Sequence, residues 1–146
     1  MKIKRGEKRD SAELTRLYCS IWPKEIPKRV KNYFFSKIKA KEVFIAVEDN
    51  KIIGILSFTK SWWKGADYLD EVVVHKNYRG RGIAAKLMLA FEKDAKRRKA
   101  RRIFSSTQPL NRVSIKLQQK AGFRRCGYVD DMFEEGQREL IFSKKI

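Results

Sequence analysis

The order of its strand-like and helix-like stretches predicts an α/β (α+β) domain, a mixed, mostly antiparallel sheet of six to seven strands flanked by about four helices. Two observations carry this. Runs rich in β-branched and aromatic residues recur at Val43–Val47, Ile52–Phe58, Tyr68–Val74 and Arg102–Thr107. Between and around them, apolar residues return at helical spacing, most clearly Ile83, Ala84, Leu87, Met88, Phe91 and Ala95.

Taken in order, Lys2 to Arg5 reads as a first edge strand. Asp10-Ser11-Ala12-Glu13 reads as a helix start, with Asp10 as N-cap and Glu13 completing a capping box. Leu14, Leu17, Tyr18 and Ile21 give that helix its apolar face, and Pro23 ends it. A second helix follows Pro27 with Val30, Phe34 and Ile38 inward; Trp22, Tyr33 and Phe34 are core first and substrate wall second. Glu42–Val47 and Ile52–Phe58 form a hairpin. Lys60 to Asp67 is a loop, whose Trp62 and Trp63 either pack on the second helix or wall an acceptor pocket. After the central strand Tyr68–Val74 and helix from Gly82 come a strand at Arg102–Thr107 and a helix near Asn111. That helix uses Val113, Ile115, Leu117 and Ala121, and closes on Gly122. Phe123–Val129 and Gln137–Ser143 make a final hairpin.

At 146 residues the chain is one domain, 1–146, long enough to bury a core. It lacks an apolar run of membrane-spanning length and a signal-peptide core, so the expected location is the cytoplasm, with no membrane partner. Cys19 and Cys126 are too few for a disulfide framework and are expected to be core thiols. His75, the single histidine, rules out a multi-histidine metal site and reads as a strand-end residue. With 35 Lys and Arg against 17 Asp and Glu, the net charge of +18 predicts weak, non-specific binding of polyanions. The densest basic cluster, Lys93 to Arg102, suits a helix C-terminus on its own. A dedicated nucleic-acid module is disfavoured, because no aromatic-interleaved basic motif or helix-turn-helix spacing appears.

The stretch with chemistry in it is Tyr68 to Ala95. Its strand runs into Arg79-Gly80-Arg81-Gly82-Ile83-Ala84 and then a helix. Two glycines let backbone N–H groups converge, and the helix start adds unpaired N–H groups and the positive end of its dipole. Such a turn holds a phosphate. It lacks the Lys-Ser/Thr of a P-loop and the third glycine of a dinucleotide fingerprint.

Tyr78–Ala84, following Val72-Val73-Val74, resembles the acyl-CoA signature Arg/Gln-x-x-Gly-x-Gly/Ala of the GNAT superfamily of N-acetyltransferases. Asn111-Arg112-Val113-Ser114 and Ala121-Gly122-Phe123 are similar to that family's Asn-x-x-Ala/Ser and x-Gly-Phe landmarks. The resemblance implies an enzyme that moves the acetyl group of acetyl-CoA to a primary amine of a small molecule or peptide. No metal site is expected, and the chain is expected to be a monomer or homodimer. The resemblance implies that backbone groups of Val72, Val73 and Val74 hold the pantetheine arm and the thioester carbonyl. It further implies that Arg79, Gly80, Arg81, Gly82, Ile83 and Ala84 hold the pyrophosphate, and that Asn111 touches one of the two.

For the base, strict strand alternation puts Tyr68, Asp70 and Val72 on one face and Glu71 on the other. Leu69-Asp70-Glu71-Val72 resembles the Leu-Glu-Asp-Ile stretch of polyamine-type members, which makes Asp70 the first candidate, with Glu71 and Tyr68 beside it. Either carboxylate could instead pair with one of the many basic residues. The family's tyrosine acid, seven residues after the Asn, is here Gln118, and its glutamate five residues before the Asn is Ser106. These departures leave open a GNAT fold that binds acyl-CoA without catalysis.

Overall fold

The computed structural model describes residues 1–146. Seven strands form one sheet: β1 (Lys2–Arg5), β2 (Val43–Glu48), β3 (Lys51–Trp63), β4 (Ala66–Val74), β5 (Arg102–Thr107), β6 (Arg124–Asp130) and β7 (Arg138–Lys145). Four α-helices accompany them: α1 (Ser11–Ile21), α2 (Pro27–Lys39), α3 (Ile83–Arg97) and α4 (Arg112–Lys120). The spatial order is β1-β2-β3-β4-β5-β7-β6. Only the β4–β5 neighbours are recorded as parallel, with Tyr68 opposite Phe104. This is the mixed, mostly antiparallel sheet expected from the element order. No helix is long and apolar enough to cross a membrane.

By contacts the chain divides into two compact units, Met1–Phe58 with Glu71–Phe91, and Thr59–Asp70 with Glu92–Ile146. In the first, α1 and α2 cover one face of the sheet, where Leu14, Leu17, Val30 and Phe34 meet Val43, Ile45, Ile55 and Val73. α3 covers the opposite face, since the neighbouring residues of β3 turn that way: a Cβ on Gly54 would stand 3.0 Å from Ile83 Cγ2, and Phe58 stacks on Phe91 at 4.6 Å. Each of these fully buried side chains contributes roughly 1.5–3 kcal/mol of hydrophobic stabilisation. Pro27 stands at the first position of α2, where its fixed φ suits a helix start and its missing N–H costs nothing.

In the second unit β7 inserts between β5 and β6, pairing antiparallel with both. Asp67, Glu92 and Asp94 of this unit are ion-paired. Arg98 donates to Asp67 and Asp94, and Lys144 to Glu92. Lys96 also reaches Glu92 and Arg97 reaches Asp94. Lys96, Arg97 and Arg98 of the basic cluster at the end of α3 are therefore ion-paired.

Several sequence expectations need correction. β3 continues to Trp63 and β4 starts at Ala66, so the expected loop is a two-residue turn, with Gly65 at φ +78° supplying the left-handed position. The Ser61 amide donates to Asp67 Oδ1 and secures it. Glu13 caps nothing: its carboxylate accepts the Ile52 amide at 2.7 Å. The capping box lies one turn earlier, between Glu7 and Asp10 around a short 3-10 turn. Val113 is 81% exposed while Gln118 is 3% exposed, so α4 turns a different stripe inward from the one its aliphatic residues suggest. Cys126 lies on an exposed strand and is not a core thiol.

Candidate active site

The chain rises out of β4 at Val74, and the His75 ring closes the next turn by accepting the Asn77 amide on Nδ1. That is the strand-end role expected of the lone histidine. Gly80 and Gly82 both occupy the left-handed region, at φ +77° and +73°. Only residues without a Cβ adopt this freely. A Cβ built on either glycine meets nothing within 4 Å, so the surface above the turn is open. The amides of Gly80, Arg81 and Gly82 donate to no backbone acceptor, and the Gly82 carbonyl takes the first helical bond, from Lys86. With fifteen residues of α3 behind it, the turn presents N–H groups and a positive dipole end to one open surface.

The two arginines of the turn are tied back. Arg79 donates from Nε to the Val74 carbonyl. Arg81 grips Glu48 through both Nη atoms, at 3.1 and 3.0 Å, and lies against Tyr78. They brace the loop, and the anion-attracting groups of the turn are its backbone amides. This donor set fits a pyrophosphate, whose oxygens accept several N–H bonds at once.

Before the turn, β4 carries both carboxylates. Asp70 accepts the Thr59 hydroxyl, which lies 3.0 and 3.1 Å from its two oxygens. Glu71 accepts the Tyr18 hydroxyl of α1 at 3.1 Å. Burial, and after it the Glu71 carboxylate, push the Tyr18 phenol well above its ordinary pKa, so it stays a donor throughout the physiological range. Next to it, the Tyr33 and Ser57 hydroxyls share a 2.8 Å bond, and both phenol rings pack edge-on against Phe34.

Strict alternation does not hold along this strand. Asp67 pairs with Arg98, the residue just past the end of α3, which places its neighbour Tyr68 on the face away from that helix. Glu71 also turns away from α3, onto α1. Asp67 and Glu71, an even number of positions apart, leave opposite faces, so the pleat slips once between them.

Tyr68 is buried, its hydroxyl 2.7 Å from Ser106 Oγ. Trp62 lies over Tyr68 at 5.1 Å and near Phe104 at 5.7 Å, so one of the paired tryptophans walls this region and Trp63 stands 67% exposed. Asn111 is the N-cap of α4, its Oδ1 accepting the Ser114 amide, which leaves its NH2 end as the outward donor. Gln118 donates from Nε2 to Ser114 Oγ at 3.2 Å, while its buried Oε1 has no partner. An amide at that place carries no transferable proton. Sequence reasoning gave Tyr18 to an apolar helix face and Ser57 to a strand, and missed their hydrogen-bonding partners; a hydroxyl within an otherwise apolar stripe was the available signal.

A strand, a left-handed glycine turn whose amides meet no backbone acceptor, and a helix opening on it make a strand-turn-helix unit of an α/β fold, with N–H groups suited to an anion. A family model described as "Acetyltransferase (GNAT) family" matches residues 11–123. The chain belongs to this family. Its fold is similar to that of a ribosomal-protein-alanine N-acetyltransferase from Brucella melitensis (TM-score 0.85, 19% identity, 100% of each chain covered). A GNAT-family acetyltransferase from Bacillus cereus matches at TM-score 0.85 and 26% identity, over 99% of this chain and 96% of that one. An aminoglycoside 6'-N-acetyltransferase complexed with coenzyme A matches at 0.85 and 14%, over 99% and 97%.

Proposed function

We propose that residues 1–146 form a single domain that transfers the acetyl group of acetyl-CoA to a primary amine of a small molecule or peptide, by direct attack and in the cytoplasm. The observation that carries this reading is the open turn at Gly80 and Gly82 with its unpaired amides, in a chain of the GNAT family. Similar folds occur in proteins that acetylate ribosomal-protein alanine and aminoglycosides, the latter solved with coenzyme A.

In this reading the amides from Arg79 to Ala84 hold the pyrophosphate, and the backbone of Val72, Val73 and Val74 holds the pantetheine arm and polarises the thioester carbonyl. The NH2 end of Asn111 adds a contact to the same ligand. The amine nitrogen bonds to the acyl carbon as the C–S bond breaks. Asp70 accepts the proton the nitrogen loses, directly or through one water. The thiolate leaves and is protonated by solvent, since Gln118 has no proton to give. Glu71, fixed by Tyr18, attracts the cationic form of the acceptor; Tyr68 shapes the wall behind Asp70.

The test is thiol release from acetyl-CoA over a panel of polyamines, amino acids, aminoglycosides and peptides, with thermal melts alongside. Acetyl-CoA should raise the melting temperature, and at least one amine class should release thiol. Stabilisation by ATP or NAD but not acetyl-CoA, or ligand binding without transfer to any amine, would overturn the reading.

A further inference from the structure

β6 is the outermost strand on its side of the sheet and bonds only to β7. Six of its seven residues are exposed. An open edge of this kind offers a row of N–H and C=O groups to any extended chain that fits. Natural edges are usually guarded by lysine, proline or a bulge. β6 has a bulge, with Arg125 opposite Phe142, Gly127 opposite Ile141, and Cys126 as the extra residue.

Its charges are not those of a guard. A guarded edge repels with one sign, whereas β6 begins Arg124-Arg125 and ends at Asp130, followed by Asp131. Although the whole chain carries +18, four of its acids fall within residues 130–135. The β7 residues opposite Arg125 and Asp130, namely Phe142 and Arg138, lie an even number of positions apart, so both side chains leave the same face. Tyr128, opposite Leu140, leaves that face too. A strand with a cation at one end of a face and an anion at the other is attractive to a copy of itself only when the two run antiparallel.

We propose that β6 pairs with β6 of a second copy of this chain, antiparallel about a two-fold axis at Tyr128, extending the sheet through a dimer. With Cys126 counted as the bulge residue, Val129 then meets Gly127 and Asp130 meets Arg125 of the second copy, once at each end. The Asp130 carboxylate already accepts Arg138, at 2.6 and 3.0 Å, and each oxygen keeps a lone pair for a second guanidinium. Arg138 in turn lies 3.7 Å over the Tyr128 ring. The exposed Tyr128 and Val129 supply apolar surface beside the charges.

The test is sedimentation of the full chain and two variants, from about 1 to about 200 µM. The wild type should dimerise within that range. Arg125→Asp and Asp130→Arg should each raise the dissociation constant about tenfold or more, because like charges then meet at both ends. An equal mixture of the two variants should form a heterodimer at least about tenfold tighter than either variant alone, since every pair facing across the interface is again opposite in sign. That heterodimer is also the proof that both variants fold. A wild type that stays monomeric throughout, a single variant that dimerises unchanged, or a mixture that stays monomeric would each overturn the proposal.

Discussion

Replacing Gly82 with Asn separates the two jobs of the turn, because Asn tolerates left-handed backbone while adding a side chain above it. No atom lies within 4 Å of the position its Cβ would take, so the cost to the fold is conformational and not steric. At φ +73° that cost is at most about 1–2 kcal/mol, a fall of roughly 2–8 °C in melting temperature. The ligand loses more. The new amide occupies the space through which an anionic oxygen must reach the N–H groups. Each hydrogen bond to a charged group is worth about 1.5–3 kcal/mol, so losing one weakens binding by roughly ten- to over a hundred-fold. Isothermal titration with acetyl-CoA measures this, with a ligand-free melt as the control. A Gly82→Asn protein that melts as expected yet binds acetyl-CoA within about threefold of the wild type would refute backbone capture of the phosphates.

Asp70→Asn keeps an acceptor for Thr59 and should lower kcat by about 10²–10⁴-fold with little change in acetyl-CoA affinity; an unchanged rate, with Glu71→Gln the damaging variant, would move the base to Glu71. Gly54→Ala should destabilise the protein by roughly 1–3 kcal/mol in urea unfolding, because its Cβ would stand 3.0 Å from Ile83 Cγ2 and 3.2 Å from Leu87 Cδ1. Burial works against the Glu92 carboxylate, but its bonds to Lys144 and Lys96 prevail and hold it below its ordinary 4.5. The stabilisation it contributes is therefore complete above that value and lost as pH falls through the depressed one. Glu92→Gln should accordingly melt below the wild type at neutral pH, and the gap should close in acid.

The parts of the fold legible in the sequence are those fixed by local chemistry. Pro27 marks the start of α2 and the glycine turn the start of α3, and the strand expected at Arg102–Thr107 coincides with β5. What was hidden depends on partners distant in sequence. Nothing near Glu13 shows that the Ile52 amide, 39 residues away, takes its carboxylate. The aliphatic residues of α4 suggest a stripe through Val113, but its buried positions include Gln118. At the site, the turn could be read from two glycines and a helix signal. The disposition of Asp70 and Glu71 could not, because the slip of the pleat between Asp67 and Glu71 shows only through Arg98 and Tyr18.

The placement of the tryptophans has an optical consequence. Trp22, Trp62 and Trp63 are 47%, 46% and 67% exposed, so all three indoles already meet solvent in the folded chain. Unfolding should shift their emission little, and circular dichroism is the better monitor of the transition. Trp62 is the exception in kind, because its ring lies on Tyr68 and near Phe104 within the strand pair that carries Asp70. In a Trp22→Phe, Trp63→Phe background its fluorescence becomes a label-free reporter of that face.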